Sequence, residues 1–306
     1  MKTSIVIRSK DEAPRLRLAL ASLQGQAGLD EVVVVDDGSQ DATAEVVADA
    51  AGRLPLVSVR HEAPQGRSAA SNTGAHAASG DLLIFLDGDT LAGPGMVAAH
   101  IAVQAAAGDV VGRGETWNLR CTRFLSDPES GVFWPHEAAR AARMGEAEQS
   151  ASRVTLAQVR DDFAAIARRA EPGVYPGAAP RRLHEIEMAA LRDQADSPRL
   201  WAAASGSNLS TPRDLFLAAG GLDPAIDINE HRELAYRLCA AGARLAPAEG
   251  ARSYHLTHRT GWRDPLRDGA WEAAFRARHP EAPIDALKAF WVALGEGAAP
   301  PGFFAS

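Results

Sequence analysis

The chain has 306 residues, with 39 acidic against 32 basic side chains for a formal charge of −7, and 46% hydrophobic and 23% charged residues. This is the profile of an ordinary globular protein and excludes disorder and collagen-like repeats. An acidic balance with no Lys/Arg run and only 6% aromatics gives no electrostatic footprint for a nucleic-acid backbone, so no nucleic-acid partner is expected.

The N-terminal third alternates buried-strand and amphipathic-helix patterns, as in a parallel sheet with crossover helices. Thr3 to Ile7 and Glu31 to Val35 read as strands. Pro14 to Gln26 reads as a helix with Leu16, Leu20 and Leu23 on one face, and Asp41 to Ala51 as a second. Leu56 to Val59 is a third strand, Arg67 to Ala78 a helix, and Leu82 to Leu86 an apolar run that suits a strand covered on both faces. Pro94 is expected to open another helix, through Ala107, where proline is tolerated. Val110 and Val111 start a fifth strand. Residues 120–200 are then charged, Ala-rich and helix-like, with breakers at Pro128, Pro135 and Glu171 to Pro180, and read as an insertion. The α/β pattern resumes at Trp201 to Asn208, followed by a short helix from Pro212, a turn at Gly220-Gly221, a helix from Glu230 to Ala241 and a strand near Arg244 to Ala246. Helical segments follow Trp262.

The opening Met1 to Glu12 reaches charge after a few apolar residues, and no later window holds ~18 uninterrupted apolar residues, so neither a leader nor a membrane span is expected. A cytoplasmic location is expected, with peripheral contact to a membrane surface left open. Cys121 and Cys239 lie far apart without a CxxC pair and read as small buried hydrophobes.

In an open α/β sheet ligands sit beyond the carboxyl ends of the strands. Three strand ends carry carboxylates: Asp11-Glu12, Asp36-Asp37 and Asp87-Gly88-Asp89. Such charges repel unless something cationic or hydrogen-bond donating lies between them. Asp87-Gly88-Asp89 can turn both carboxylates toward one pocket, a hard oxygen site suited to magnesium or manganese on a diphosphate; an Asp-Gly turn is its plain structural alternative. Ser39 or Asp41 as a helix cap accounts for part of the second segment. It leaves two adjacent aspartates, of which one could accept the imide N–H of a uracil ring or a donor on another base.

The motifs together, Ser4-Ile5-Val6-Ile7 with Glu12, Val35-Asp36-Asp37-Gly38-Ser39, Gly66 to Gly74, Gly80 to Asp89, Gly206-Ser207-Asn208, Gly220 to Asp223 and Glu230 to Arg237, resemble the family 2 glycosyltransferases of the GT-A fold. The resemblance implies an α/β, Rossmann-like nucleotide-diphospho-sugar transferase fold, a mixed sheet flanked by helices. The catalytic domain would span 1–262, with the 120–200 helical insertion on the acceptor side and a helical tail over 263–306. It further implies transfer of a sugar from a nucleotide diphosphate, most often UDP, to an acceptor that the sequence does not name. Asp37 and Asp36 would meet the uracil and Asp87 the ribose, with Glu12, Arg67, Asn72 and Gly88 around the nucleotide. Asp89 would hold Mn2+ or Mg2+. A late histidine completes the metal site in such folds, and His255 and His258 are the two candidates. Gly206, Ser207, Asn208 and Trp201 would lie on the sugar and acceptor side. Stacking on a sugar and core packing both remain open for Trp201, as for Trp117 and Trp134.

Inverting members open the late helix with a Glu-Asp pair whose aspartate is the base, whereas this chain has Glu230-His231. Either residue could act. An imidazole near ~6.5 suits proton transfer at neutrality, while a carboxylate near ~4.3 would need burial to become basic enough. Inversion is expected. Three competing readings remain: a non-catalytic sugar-nucleotide or glycan binding module, a haloacid-dehalogenase-type phosphatase built on Asp87 to Leu91, and a nucleotidyltransferase. The phosphatase leaves Asp36-Asp37 unexplained, and the nucleotidyltransferase lacks its glycine-rich loop over Arg8 to Glu12.

Overall fold

In a computed structural model, which describes residues 1–108, 110–173, 179–204, 207–258, 264–298 and 302–305, the alternation forms one mixed sheet. Its first elements are β1 (Thr3–Ser9), α1 (Ala13–Ser22), β2 (Glu31–Asp36), α2 (Thr43–Ala51), β3 (Leu56–Arg60), α3 (Arg67–Ala77), β4 (Leu82–Asp87), β5 (Thr90–Ala92), α4 (Met96–Ala107) and β6 (Val110–Asn118). The sheet runs β3, β2, β1, β4, the strand Leu209–Pro212, β6, the strand Arg244–His255 and β5, with Glu171–Pro172 paired to β6. β1 to β4 are parallel, whereas Leu209–Pro212 lies antiparallel between β4 and β6.

Strand alternation divides one apolar sequence between two cores. Ile5, Ile7, Val32, Val34, Leu82 and Ile84 face Leu16, Leu20, Val46, Val47 and Met96 of the flanking helices. Val6, Val33, Val35, Leu83 and Phe85 face the other way, into a core shared with Ala70 of α3, Trp201, Leu234, Trp271, Phe290 and Phe303. The helices Ala270–Arg278 and Ile284–Gly295 therefore complete the main core rather than trail from it.

The structure departs from the sequence reading at several places. Pro94 does not open α4: Gly95, at φ +76°, turns the chain in the left-handed region and the helix begins at Met96. β5 and Leu209–Pro212 are additional strands, and the strand from Arg244 extends to His255, with a register shift between Pro247 and Arg252. The insertion is largely helical in short pieces; its longest helix is Pro180–Asp193. Among the described residues no helix is long and apolar enough to cross a membrane.

Candidate active site

Because β1, β2 and β4 are parallel, their carboxyl ends meet at one edge, in the pairings Ser9 with Asp36 and Arg8 with Asp87. The Asp87-Gly88-Asp89 turn lies so close to β1 that a Cβ on Gly88 would stand 2.7 Å from Glu12 Oε1 and 2.9 Å from Ser9 Oγ. A side chain at this position would force Ser9 or Glu12 to shift. Burial, and then the charges of Asp89 and Asp87, push the Glu12 carboxyl well above its ordinary range.

Asp89, His255 and His258 offer ligand atoms that all lie within 4.8 Å of one another. His258 Nε2 is 2.8 Å and His255 Nε2 3.2 Å from Asp89 Oδ2. Burial alone would raise the Asp89 carboxyl, but the two imidazoles outweigh it and hold the group well below the usual carboxylate range. The Asn118 amide fixes the His255 tautomer. Asn118 Nδ2 donates to Gly173 O, which leaves Oδ1 to accept from His255 Nδ1 at 3.2 Å. His255 thus turns Nε2 toward the Asp89 carboxylate, where a deprotonated nitrogen would offer its lone pair to a cation held jointly with that carboxylate. The set therefore fits a divalent metal, with one carboxylate and two imidazoles as ligands.

Asp36 and Asp37 stand at the end of β2 with partners of their own. Asp36 accepts from Ser39 N and pairs with Arg60. Asp37 accepts from His61 Nδ1 at 2.7 Å, Gln65 N at 2.8 Å and Gly66 N at 2.9 Å. Burial raises this carboxyl, yet those donors together hold it below its ordinary value. Asp37 thus fastens the loop that leads into α3, whose first residue, Arg67, is exposed. The Asn72 amide accepts from Leu222 N and donates to Leu222 O, both at 2.8 Å, and so pins the Gly220-Gly221 turn.

The helix Glu230–Ala240 brings Glu230 and His231 to the same edge, under Asn229 in the left-handed region at φ +63°. Arg8, on β1, bridges the end of β4 and this helix: its Nε is 2.8 Å from Asp87 Oδ1 and its Nη2 2.8 Å from Glu230 Oε1. Burial would raise the Glu230 carboxyl, but Arg8, His231 and Arg67 bring it to about 2, so it is ionised at any ordinary pH. His231 is buried, and burial pushes its imidazole below its usual value against the attraction of Glu230, 3.8 Å from Nε2. Neither ring nitrogen has a hydrogen-bond partner among the described residues.

On the expected acceptor side, Trp201 is 2% exposed and packs its ring against Tyr236 and Phe275, so it serves the core. Ser207 is buried and its carbonyl accepts from Thr116 Oγ1, while Gly206 lies outside the described residues. Asn208, fully buried at φ +78°, donates to Ala251 O and Glu115 O and accepts from His100 Nε2 at 2.7 Å. Burial pushes His100 down to about 4, so the ring stays neutral and can accept from Ser210 at Nδ1. Asn208 thus ties together β6, α4 and the strand Arg244–His255. Asn208→Ala is expected to lower unfolding stability by about 3 kcal/mol, through orphaned buried partners and a strained alanine; a shift in the urea midpoint checks it.

Arg8, His61 and Asn118 were not singled out from the sequence. Arg8 had a signal, an arginine closing an apolar strand run; the other two are fixed by tertiary pairing.

The family model for Glycosyl transferase family 2 matches residues 4–169, more than half of the chain. The chain belongs to glycosyltransferase family 2. Among curated relatives of this family 2 chain, the uncharacterized glycosyltransferase YfnE of Bacillus subtilis is 34% identical over 119 residues, 38% of this chain and 30% of the relative. The chain thus spans about a third of that relative's length. Among solved structures, TarS 1-349 of S. aureus in complex with UDP-GlcNAc superposes with a TM-score of 0.59 at 14% identity, covering 97% of this chain and 72% of that one. Mannosyltransferase PcManGT from Pyrobaculum calidifontis, in complex with GDP-Man and Mn2+, gives 0.56 at 19% identity over 99% and 67%. At these identities the likeness establishes the fold alone, the mixed sheet flanked by helices of GT-A glycosyltransferases.

Proposed function

We propose that this family 2 chain transfers a sugar from a nucleotide diphosphate, most simply UDP, to an acceptor hydroxyl with inversion, aided by a divalent metal. The observation that carries this reading is the meeting of Asp89, His255 and His258 beside the Asp87-Gly88-Asp89 turn at the strand ends. Two imidazoles in the set favour manganese over magnesium. When bound, the metal would neutralise charge on the departing diphosphate. Asp87, with a side chain one-third exposed and only Oδ1 on Arg8, keeps an oxygen for a ribose hydroxyl.

The acceptor oxygen attacks the anomeric carbon as that carbon's bond to the diphosphate oxygen breaks. The bonding pair leaves with the diphosphate and the hydroxyl proton passes to His231 Nδ1. Glu230, held ionised by Arg8 and 3.8 Å from Nε2, stabilises the imidazolium that forms. Its own basicity is too low for the task, which makes His231 the base of the pair.

Thermal unfolding against UDP, UDP-glucose, UDP-GlcNAc and GDP-mannose, with and without manganese, tests the donor site. A ligand at about 100 times its dissociation constant adds about 2.7 kcal/mol. A manganese-dependent rise confined to one nucleotide class supports the reading. No rise with any of them, in folded protein, overturns it.

A further inference from the structure

We propose that Glu187, on the insertion helix Pro180–Asp193, is a positioning residue for the Glu230-His231 pair, so that the insertion takes part in setting the base as well as bordering the acceptor side. The inference rests on the reading of His231 as the base.

Glu187 is almost wholly buried and accepts from two guanidiniums: Arg232 Nη2 on Oε1 at 3.0 Å and Arg113 Nη2 on Oε2 at 3.3 Å. A buried carboxylate between two arginines is costly to form and is weak grounds for stability by itself. What sets this one apart is where the arginines reach. Arg232 follows His231 directly. Its Nη1 donates to Asn229 Oδ1 at 2.7 Å and its Nε to Ala202 O at 2.8 Å, and its guanidinium lies over the Trp291 ring. Arg113 Nε donates to Ala203 O at 3.1 Å.

Asn229 is the residue at φ +63° from which the helix carrying Glu230 and His231 departs. A non-glycine residue is uncommon there, and the contacts of its side chain help to hold the turn. Among the described contacts, the Arg232 guanidinium is the side-chain group that grips the Asn229 side-chain amide oxygen Oδ1, and Glu187 keeps that guanidinium buried. If the Glu187 charge is lost, Arg232 has a buried charge to relieve, Asn229 loses its hold, and the direction in which His231 enters the site changes. Metal and nucleotide residues at the ends of β1, β2 and β4 are untouched.

The test compares wild type, Glu187→Gln and a triple variant, Arg113→Met, Glu187→Met, Arg232→Met, in which an apolar set replaces the charges. Such replacements often leave stability unchanged or raise it. Melting temperature, the manganese-UDP thermal shift and kcat for UDP-sugar turnover are read on each. Glu187→Gln is expected to lose at least tenfold in kcat, with the manganese-UDP shift kept within experimental error. The triple variant is expected to melt no lower than Glu187→Gln while its kcat stays down. Recovery of kcat along with stability in the triple variant, or unchanged kcat in Glu187→Gln, overturns the inference. If Glu187→Gln does not fold, the triple variant alone decides by the same comparison with wild type. A wild-type protein that binds manganese-UDP yet turns over no donor removes the base reading, and the inference with it; loss of the shift in Glu187→Gln alone overturns only the inference.

Discussion

Alanine at position 89 is expected to abolish the manganese-dependent part of nucleotide binding and to lower kcat/KM by about 10³-fold or more. A metal on the departing diphosphate is worth several kcal/mol of transition-state stabilisation, and each ~1.4 kcal/mol is tenfold in rate. Asp89 is the only carboxylate in the three-ligand set, and both imidazoles are oriented on its Oδ2. Without it two neutral nitrogens remain, too few to hold manganese against water. Asp89→Asn separates charge from shape: it keeps the outline of the turn and is expected to behave like alanine in the thermal-shift assay. Full retention of the manganese-dependent shift in either variant would remove Asp89 from the metal site.

His231→Gln is expected to cost about 10²- to 10⁴-fold in kcat, the usual worth of a positioned base, with donor KM little changed. The pH profile separates the two members of the pair. Burial lowers the His231 imidazole from its ordinary value near 6.5, so the neutral, proton-accepting form prevails at neutrality. Activity measured at saturating manganese is therefore expected to be flat above about pH 6.5 and to fall with acid only below it. Glu230, at about 2, stays ionised throughout that range and as the base would leave no such fall. The acid limb should vanish from the residual activity of His231→Gln. A loss of less than tenfold, with the limb intact, would take the base role away from this helix.

The parallel strands were legible because burial on both faces writes them as unbroken apolar runs, as in Val32 to Val35 and Leu82 to Leu86. Thr90–Ala92 and Leu209–Pro212 escaped because three or four residues carry no period, and they are strands only by virtue of their neighbours. The last strand was expected only near Arg244 to Ala246, yet it runs on to His255 through the register shift between Pro247 and Arg252, where a ladder tolerates Pro247 and Gly250. At the site, the clustering of Glu12, Asp87 and Asp89 followed from the strand ends. The grip of Leu222 on Asn72, and of His100 on Asn208, did not, since each joins residues more than a hundred positions apart. Arg8 was readable as an oddity at the end of an apolar strand, but its two carboxylate partners were not.

The place of Leu209–Pro212 between β4 and β6 has a consequence for how the chain is made. On the ribosome, β4 and β6 emerge long before the strand that joins them, and each waits with an unpaired edge while the insertion is synthesised. Pairings of such sequence separation close slowly, and open strand edges invite association with other chains. Pairing of the sheet beyond β4 is thus expected to wait for the release of residues 209–212, with chaperone occupancy of nascent chains highest between the release of β6 and that of those residues.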